Sequence, residues 1–590
     1  MKIETLLFKE VVIFPELFIG IAIIYLVIHS TFLSIQKNYP LLQTSILYLS
    51  VLSLFFSVYL VFNEHLNVLE SSFLNNTYML DYVSLFSKVI IGSLSILCLI
   101  MMKSYIVKQK INQFEYLLLI LFSVLGLFLL CSANDFLTAY LAIELQSLAF
   151  YVLAAFKKNS TFSVDAGIKY FILGSFASSL FLFGSSLLYG FTGTVCFNDF
   201  HLLFLEVFNE QSNITEAEIT LADLHDFVLN LTTVEMYNNF DNNLVNLNET
   251  INREEIEDGR AELEKLLPTL ATLKLLELTG AFSDGPTNFD LLIKMYTNYY
   301  TSIIDVNIVK FSLGFIFISL FFKLTVAPFH LWAPDVYEGS PSSSTFFFSV
   351  VPKLAIFVLL LRIFYYSFYF FVDSWRYFIV IIVVFSIIVG SFGGLEQRKL
   401  KTLLVYSTIS HMGYSLIAFS AGTFESLQIL FSYLIIYSFS GLCIWSIFIT
   451  TKIKTNYLQK QNKDLTDLVL LSKSNYMLAI FFTVVLFSVA GFPPMIGFLV
   501  KMGIFVTAIE SSMYFVALIS ILCSVIGTFY YLRLIKILYF EKVLVGKLYY
   551  PINSQDSIVI TLLFYLFLFL FINPTLLFLL SYKFSLLIFA

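Results

Sequence analysis

FISLFFKLTVAPFHLWAPDVYEGSPSSSTFFFSVVPKLAIFVLLL, residues 317–361, contains two long apolar runs with a lysine inside each, Lys323 and Lys353, and Pro328 interrupting the first. A cation at membrane depth costs several kcal/mol, so it needs a partner, a cavity or a job there. Pro328 removes a backbone donor five residues after Lys323, which leaves carbonyl groups free beside the ammonium. Broken helices are tolerated at that depth where the freed groups line a cavity, and in transporters such cavities bind ions and protons. His330 follows the break with an imidazole that changes charge near neutral pH; an interfacial histidine capping a helix is the plainer reading of it. For Lys353, about ten residues into the next run, the plainer reading is a structural ion pair.

The rest of the chain fits a membrane setting. Its 590 residues are 59% hydrophobic and 13% charged, with a mean hydropathy of +0.87, which is too little polar surface for a water-soluble fold of that length. Segments of roughly twenty apolar residues, enough to cross a bilayer, fall at about 11–30, 41–62, 80–102, 114–132, 136–156, 166–192, 308–334, 343–370, 377–395, 402–421, 426–450, 475–509, 512–539 and 556–588. That makes about fourteen spans, the last one expected to bend at Asn573–Pro574. Barrel strands are half as long and alternate in polarity, so the expected fold is an all-α polytopic membrane protein. Cys98, Cys131, Cys196, Cys443 and Cys523 lack paired spacing and the histidines lack ligand spacing, so neither a disulfide framework nor an iron–sulfur or zinc site is expected. A P-loop and a dinucleotide fingerprint are both missing.

More ionisable residues lie inside these spans. Glu144, in AYLAIELQSLAFYVLAAF (139–156), stands near half depth, and its stability as an anion depends on a nearby cation. Lys169, near the start of the next span, fits either a polar path or a snorkelling lysine at the interface, beside small residues such as Gly174 and Ser178 that allow close helix approach. FSVAGFPPMIGFLVKMGIFV (487–506) then repeats the opening arrangement five spans later, with Pro493 and Pro494 as the helix break and Lys501 as the buried cation. Two broken helices in corresponding halves are a sequence pointer to inverted-repeat transporters. His411, in the polar run YSTISHMGYSLIAF (406–419), is placed to connect this path to the basic side.

Loop charges give an orientation. Basic residues such as Lys108, Lys158, Arg398, Lys452 and Lys542 gather after odd-numbered spans, and acidic ones such as Glu70, Asp135 and Glu425 after even-numbered spans. The odd loops are therefore expected on the matrix or cytoplasmic side, with both termini opposite. One extramembrane insert, 197–305, carries about 20 of the 40 acidic residues and about five basic ones. Its segment 252–276 has helix-like composition, and its acids lack a ligand pattern, so a locally packed module or docking surface is the expectation. Asn213, Asn230 and Asn248 begin sequons of a kind common by chance in Asn-rich chains. The abundance of Phe (67) and Tyr (35) beside only 24 Gly fits an AT-rich genome, and the N-terminus lacks an Arg-rich presequence, as expected of an organelle-encoded chain.

Taken together, residues 322–357, LEQRKLKTLLVYSTISHMGYSLIAF (395–419) and AGFPPMIGFLVKMGIF (490–505) resemble the antiporter-like membrane subunits of respiratory complex I over roughly 80–540. Subunit 4 of that family carries a glutamate where Lys501 stands, and subunit 5 continues into a long lateral helix, which sets this chain apart from both. The acidic insert departs from the family pattern. The resemblance implies fourteen transmembrane helices with two inverted five-helix repeats around a hydrophilic axis. It divides the chain into N-terminal helices (1–110), a first repeat (111–196 and 306–370) interrupted by the insert, a second repeat (371–540) and a C-terminal helix (541–590).

By motif, Glu144 and Lys323 resemble the carboxylate–lysine pair of the first half-channel, Lys353 the central relay and Lys501 the terminal one, with Lys169 and His330 as accessory positions. The implied function is proton translocation in NADH:ubiquinone oxidoreductase, driven by quinone reduction elsewhere. No redox group is implied in this chain; NADH, FMN, iron–sulfur clusters and ubiquinone belong to other subunits. The implied partners are complex I membrane subunits, including subunits 4 and 4L, with membrane lipid around them and a lineage-specific subunit as a candidate for the insert. The implied location is the mitochondrial inner membrane, with the insert and termini on the intermembrane-space side. A cation/proton antiporter subunit of the related Mrp type is the alternative, and a scaffold whose charges only pair is a third reading.

Overall fold

The computed structural model describes residues 13–34, 39–64, 71–74, 76–109, 113–205, 306–454, 459–461, 464–469, 471–541, 548–549 and 552–589. Apolar runs without proline beyond the first turn become long helices: α1 (Phe14–Ser34), α2 (Tyr39–Glu64), α3 (Tyr82–Lys108), α4 (Glu115–Ser132), α5 (Phe136–Ala155) and α6 (Thr161–Thr192). A short hairpin, β1 (Ser71–Phe73) with β2 (Tyr78–Leu80), joins α2 to α3. Beyond the insert come α7 (Val306–Leu324), α8 (Trp332–Gly339), α9 (Ser342–Val350) and α10 (Pro352–Leu361), the last continuing into a π turn, Arg362–Ser367. Next are α11 (Val372–Leu395), α12 (Leu400–Ala421), α13 (Phe424–Thr450), β3 (Lys452–Lys454), β4 (Gln459–Gln461) and the single-turn α14 (Leu471–Ser474). The chain closes with α15 (Tyr476–Ala490), α16 (Ile496–Glu510), α17 (Tyr514–Tyr539), β5 (Leu548–Tyr549), α18 (Ser554–Ile572) and α19 (Thr575–Phe589).

Every one of the fourteen expected spans has a helical counterpart. Among the described residues, twelve segments are long and apolar enough to cross a membrane unaided. The other two expected spans fall short for physical reasons visible in the sequence. Helix α12 carries the polar run with His411, and the 475–509 span is cut by Pro493 and Pro494 into two fifteen-residue helices, α15 and α16. Asn573–Pro574 divides the last span as expected: Gln555 of α18 meets Lys103 late in α3, whereas Phe584 of α19 packs on Phe86 near its start.

Loop-to-loop contacts divide the bundle into two faces. On one, Lys157 bonds to Gln109, Lys399 pairs with Glu338, Arg533 donates to Leu395 and Gln397 carbonyls, and β4-β3-β5 form a small sheet, so the odd-numbered connections meet. On the other, Tyr78 bridges to Ala133, Asp135 to Cys196, Arg362 pairs with Asp81, and Arg376 donates to the Ser511 carbonyl, so the even-numbered connections meet. This sorting is what an unbroken up-and-down series of fourteen crossings requires.

The compact membrane unit comprises the chain through His201 and again from Val306, while Leu202–Asp305 forms a second unit. Phe197 and Phe200 are buried against Phe136, so the membrane unit extends a few residues past the expected boundary at 197. The acidic insert from 206 onward, with its helix-like stretch 252–276, lies outside the described residues.

Burial is inverted at the rim and conventional at the axis. Ile21 and Phe32 of α1, Phe176 of α6 and Val525 of α17 are exposed, as lipid-facing residues are. By contrast every residue from Ser340 to Tyr365 is buried, so α9 and α10 run through the centre of the bundle with protein on all sides. Lys353 sits on that central element.

Candidate functional site: a row of buried cations and tyrosines

The first helix break ends α7 one residue after Lys323. Thr325 adopts φ +63°, Thr325 and Val326 donate back to the Phe322 and Phe321 carbonyls, and the Trp332 indole takes a second bond to the Phe322 carbonyl at 3.1 Å. Tyr170 of α6 stacks on Trp332 with centroids 4.5 Å apart, which fixes the far side of the break. Lys323 Nζ then reaches α5, where it donates to the Tyr151 hydroxyl at 3.4 Å.

The expected Glu144–Lys323 pair is joined through hydroxyls. Among the described residues the two make no contact ion pair. Glu144, Ser147 and Tyr151 occupy one face of α5 at i, i+3 and i+7. The Ser147 hydroxyl donates to the Glu144 carbonyl at 3.1 Å and lies 3.4 Å from Glu144 Oε2, and one turn on the Tyr151 hydroxyl accepts from Lys323. Gly174 of α6 makes room for this arrangement, because a Cβ there would stand 2.1 Å from the Tyr151 hydroxyl. Sequence reasoning named both charged ends and missed the two hydroxyls between them.

At the second break Gly491 takes φ +88°, and its N–H and that of Phe492 turn back to Phe487 and Ser488. The next two carbonyls, Val489 and Ala490, are left without helical donors. Lys501 from α16 supplies them, at 2.8 and 3.0 Å, and so places its ammonium at the negative end of α15. A side chain at 491 would meet Lys501 Cδ at 2.9 Å, so glycine is required there both for backbone and for space.

Between Lys353 and Lys501 lies a set of proton-bearing groups in successive contact. Lys353 Nζ donates to the Tyr437 hydroxyl at 2.8 Å, and the Tyr437 ring lies 5.4 Å from the His411 ring. His411 Nδ1 meets the Tyr433 hydroxyl at 2.6 Å and Nε2 the Tyr531 hydroxyl at 3.3 Å. The Tyr414 ring then stands 6.2 Å from His411 and 5.4 Å from the Lys501 ammonium. Two small cavities adjoin this row, one lined by Tyr414, Lys501 and Tyr531, the other by Ser349, Thr408 and Tyr437, and His411 belongs to the wall of both. The imidazole therefore stands in the wall of both cavities, one lined by Lys501 and the other by Tyr437, to which Lys353 donates.

Two expected members stand apart. Lys169 pairs with Asp335 of α8 at 2.5 Å, with both side chains more than half exposed, so its place is the bundle surface rather than the buried row. His330 lies half-buried in the first break with Nδ1 lacking a partner. The sequence reading also passed over Lys88, Glu16 and Arg362, which are buried and ion-paired near the even-numbered face. A signal existed: Lys88 stands well inside the 80–102 span, in LFSKVIIG.

The bundle has counterparts among known proteins. The profile of the family described as "NADH:quinone oxidoreductase/Mrp antiporter, TM" matches residues 133–227 and 269–527, and the chain belongs to that family. It is 32% identical to NADH-ubiquinone oxidoreductase chain 2 of Marchantia polymorpha, over 97% of this chain and 98% of that one. It is 31% identical to NADH-quinone oxidoreductase subunit N of Pelagibacter ubique, over 90% of this chain and 89% of that one. Among solved structures, a chain of respiratory complex I from Thermus thermophilus with bound Aureothin superposes with a TM-score of 0.65 at 21% identity, covering 96% of this chain and 98% of that one, a likeness of fold.

Proposed function

We propose that this chain is a proton-translocating membrane subunit of a respiratory NADH:quinone oxidoreductase. The observation that carries this reading is the buried row Lys353–Tyr437–His411–Tyr414–Lys501, in which Lys353 donates to Tyr437 and the remaining neighbours lie in ring or cation–ring contact. A lysine buried in a low-dielectric bundle surrenders its proton when a favourable neighbour withdraws and regains it when the neighbour returns, so rearranging contacts along such a row moves protons. The near full-length likeness to chains named for NADH oxidation favours this reading over the Mrp-type antiporter alternative.

In this reading Glu144 and Lys323 load the first half-channel through Ser147 and Tyr151, Lys353 passes the proton to His411, and Lys501 releases it. His330 faces the first break as an accessory group, whereas Lys169 serves as a surface tie to Asp335. The chain needs no redox group of its own; NADH, FMN, iron–sulfur clusters and ubiquinone are assigned to other subunits, which supply the driving reaction. It works as a multi-pass protein of the inner mitochondrial membrane among other complex I subunits, with subunits 4 and 4L as neighbours. The insert and both termini are assigned to the intermembrane-space side, by the basic character of the odd-numbered loops.

The test is to purify the complex in mild detergent, identify the companions of this chain, and measure protons moved per electron after reconstitution for Lys353→Ala and Lys501→Ala. Co-purification with NADH-oxidising subunits and lost pumping in both variants are expected. Full pumping in assembled variants overturns the relay, and companions limited to antiporter subunits overturn the respiratory assignment.

A further inference from the structure

A second set of ionisable groups lies outside the row described above. Glu16 of α1 and Lys88 of α3 form an ion pair at 2.6 Å with side chains 3% and 0% exposed. The Tyr78 hydroxyl of β2 bridges them: Lys88 Nζ donates to it at 2.7 Å, and it donates to Glu16 Oε1 at 2.7 Å. Among the described residues Glu16 Oε2 is buried without a hydrogen-bond partner, although a charged carboxylate oxygen in that setting is costly to leave bare. Around the triad stand Ser132 against Tyr78, Cys131 within electrostatic reach of Glu16, Lys88 and Arg362, and the Asp81–Arg362 ion pair two turns along α3.

We propose that Glu16, Tyr78 and Lys88 form a further proton-relay unit, separate from the lysine row, at the even-numbered face of the membrane. Its geometry is a closed donor–acceptor line. In one concerted step a Lys88 N–H bond breaks as the Tyr78 oxygen takes that proton, and the Tyr78 O–H bond breaks as Glu16 Oε1 takes the second. The products are a neutral amine, an intact phenol and a carboxylic acid, so atoms and charge balance without a co-reactant. Burial, reinforced by the Glu16 carboxylate, raises the Tyr78 phenol, which keeps it protonated and fit to act as the bridge.

The step exchanges two buried charges for two neutral groups. In a low-dielectric site each separated ion costs several kcal/mol, so the pair changes state together rather than leaving one lone charge. A purely structural lock needs only the ion pair. It does not require the Tyr78 phenol, which contacts both partners beside their direct contact and adds a second donor–acceptor route between them. The location gives the step an outlet: α3 and α4 pack between α1 and α10, and Arg362, bound to Asp81, directly continues the helix that bears Lys353. Neutralising Lys88 and Glu16 changes the field on that pair, and through it on the central helix.

This inference uses the proposed pumping function as one readout and stands on a second that does not need it. In complex assembled with the variant subunit, Tyr78→Phe keeps the Glu16–Lys88 ion pair but removes the bridge. It is expected to cut pumping per electron several-fold while the complex assembles to normal levels. Infrared difference spectra between resting and turning-over enzyme are expected to show a buried carboxylic-acid C=O band that disappears in Glu16→Gln. The double variant Glu16→Gln/Lys88→Met, which leaves no unpaired charge, is expected to assemble yet pump poorly. Normal pumping in Tyr78→Phe and in the double variant, with an infrared spectrum unchanged by Glu16→Gln, overturns the relay and leaves a structural lock. Lys353→Ala run in parallel separates the two readings: if it also pumps normally, the lysine row has failed independently of the triad.

Discussion

Tyr437 is the residue on which the buried row depends most narrowly, because among the described residues it accepts the Lys353 hydrogen bond and also sets its ring against His411. Tyr437→Phe removes a hydroxyl and little else, so assembly should persist while pumping falls by about tenfold, the equivalent of roughly 1.4 kcal/mol and near the upper end of what one ordinary hydrogen bond contributes; wild-type proton-to-electron ratios in this variant would remove Tyr437 from the path. Glu144→Ala should lower pumping without loss of assembly, and Glu144→Asp should be milder, since a shorter carboxylate still addresses Ser147. Tyr151→Phe should resemble Glu144→Ala if the hydroxyl line on α5 couples the carboxylate to Lys323. Lys501→Arg should not restore function, because a guanidinium keeps its proton. The charged members of this site were legible in the sequence because a lysine within an apolar run stands out. The tyrosines were not, because in a chain with 35 of them any one is uninformative until its hydroxyl is placed. Glu16 escaped for the opposite reason, since an acid near the start of a span looks like an ordinary boundary residue until Lys88 is found against it.

At the level of elements, the two helix breaks convert backbone geometry into binding capacity. The second holds an ammonium on two carbonyls that a continuous helix would have consumed, and Gly491 and Gly497 make that possible. A Cβ at Gly497 would lie 2.0 Å from the Ser488 carbonyl oxygen, so α15 and α16 could not approach as they do. Gly497→Ala is expected to reduce the amount of assembled complex, as followed by native gel. Gly491→Ala adds about 1–3 kcal/mol of backbone strain and pushes on Lys501, so the complex that does assemble should pump less. Equal assembly and equal pumping in both variants would mean that the break tolerates bulk. Spans were read correctly in number because apolar length is a strong signal, and the breaks because proline is. The short polar ties that orient the broken halves, such as Trp332 onto the Phe322 carbonyl, depend on tertiary placement and leave no local pattern.

For the molecule as a whole, the sorting of connections into two faces makes a sided prediction. Single cysteines placed at Glu338 and at Asp373 should label from opposite sides of a sealed membrane, with the Glu338 side shared by Lys399; labelling of both from one side would break the series of crossings. Deleting 205–300 is expected to weaken attachment to a neighbouring subunit more than it slows pumping per assembled complex, and normal assembly with lost pumping would overturn the docking role.

The central position of the Ser342–Ser367 segment also decides how the protein responds to its lipids. Outer helices such as α1 and α18 must match the hydrocarbon thickness around them, tilting or thinning the bilayer when acyl chains change length. The segment bearing Lys353 has no lipid neighbour, so its depth is set by the helices packed against it rather than by the bilayer. Reconstitution in lipids with shorter or longer acyl chains should therefore disturb the rim and the contacts it makes while the central lysine stays in register with Tyr437 and His411.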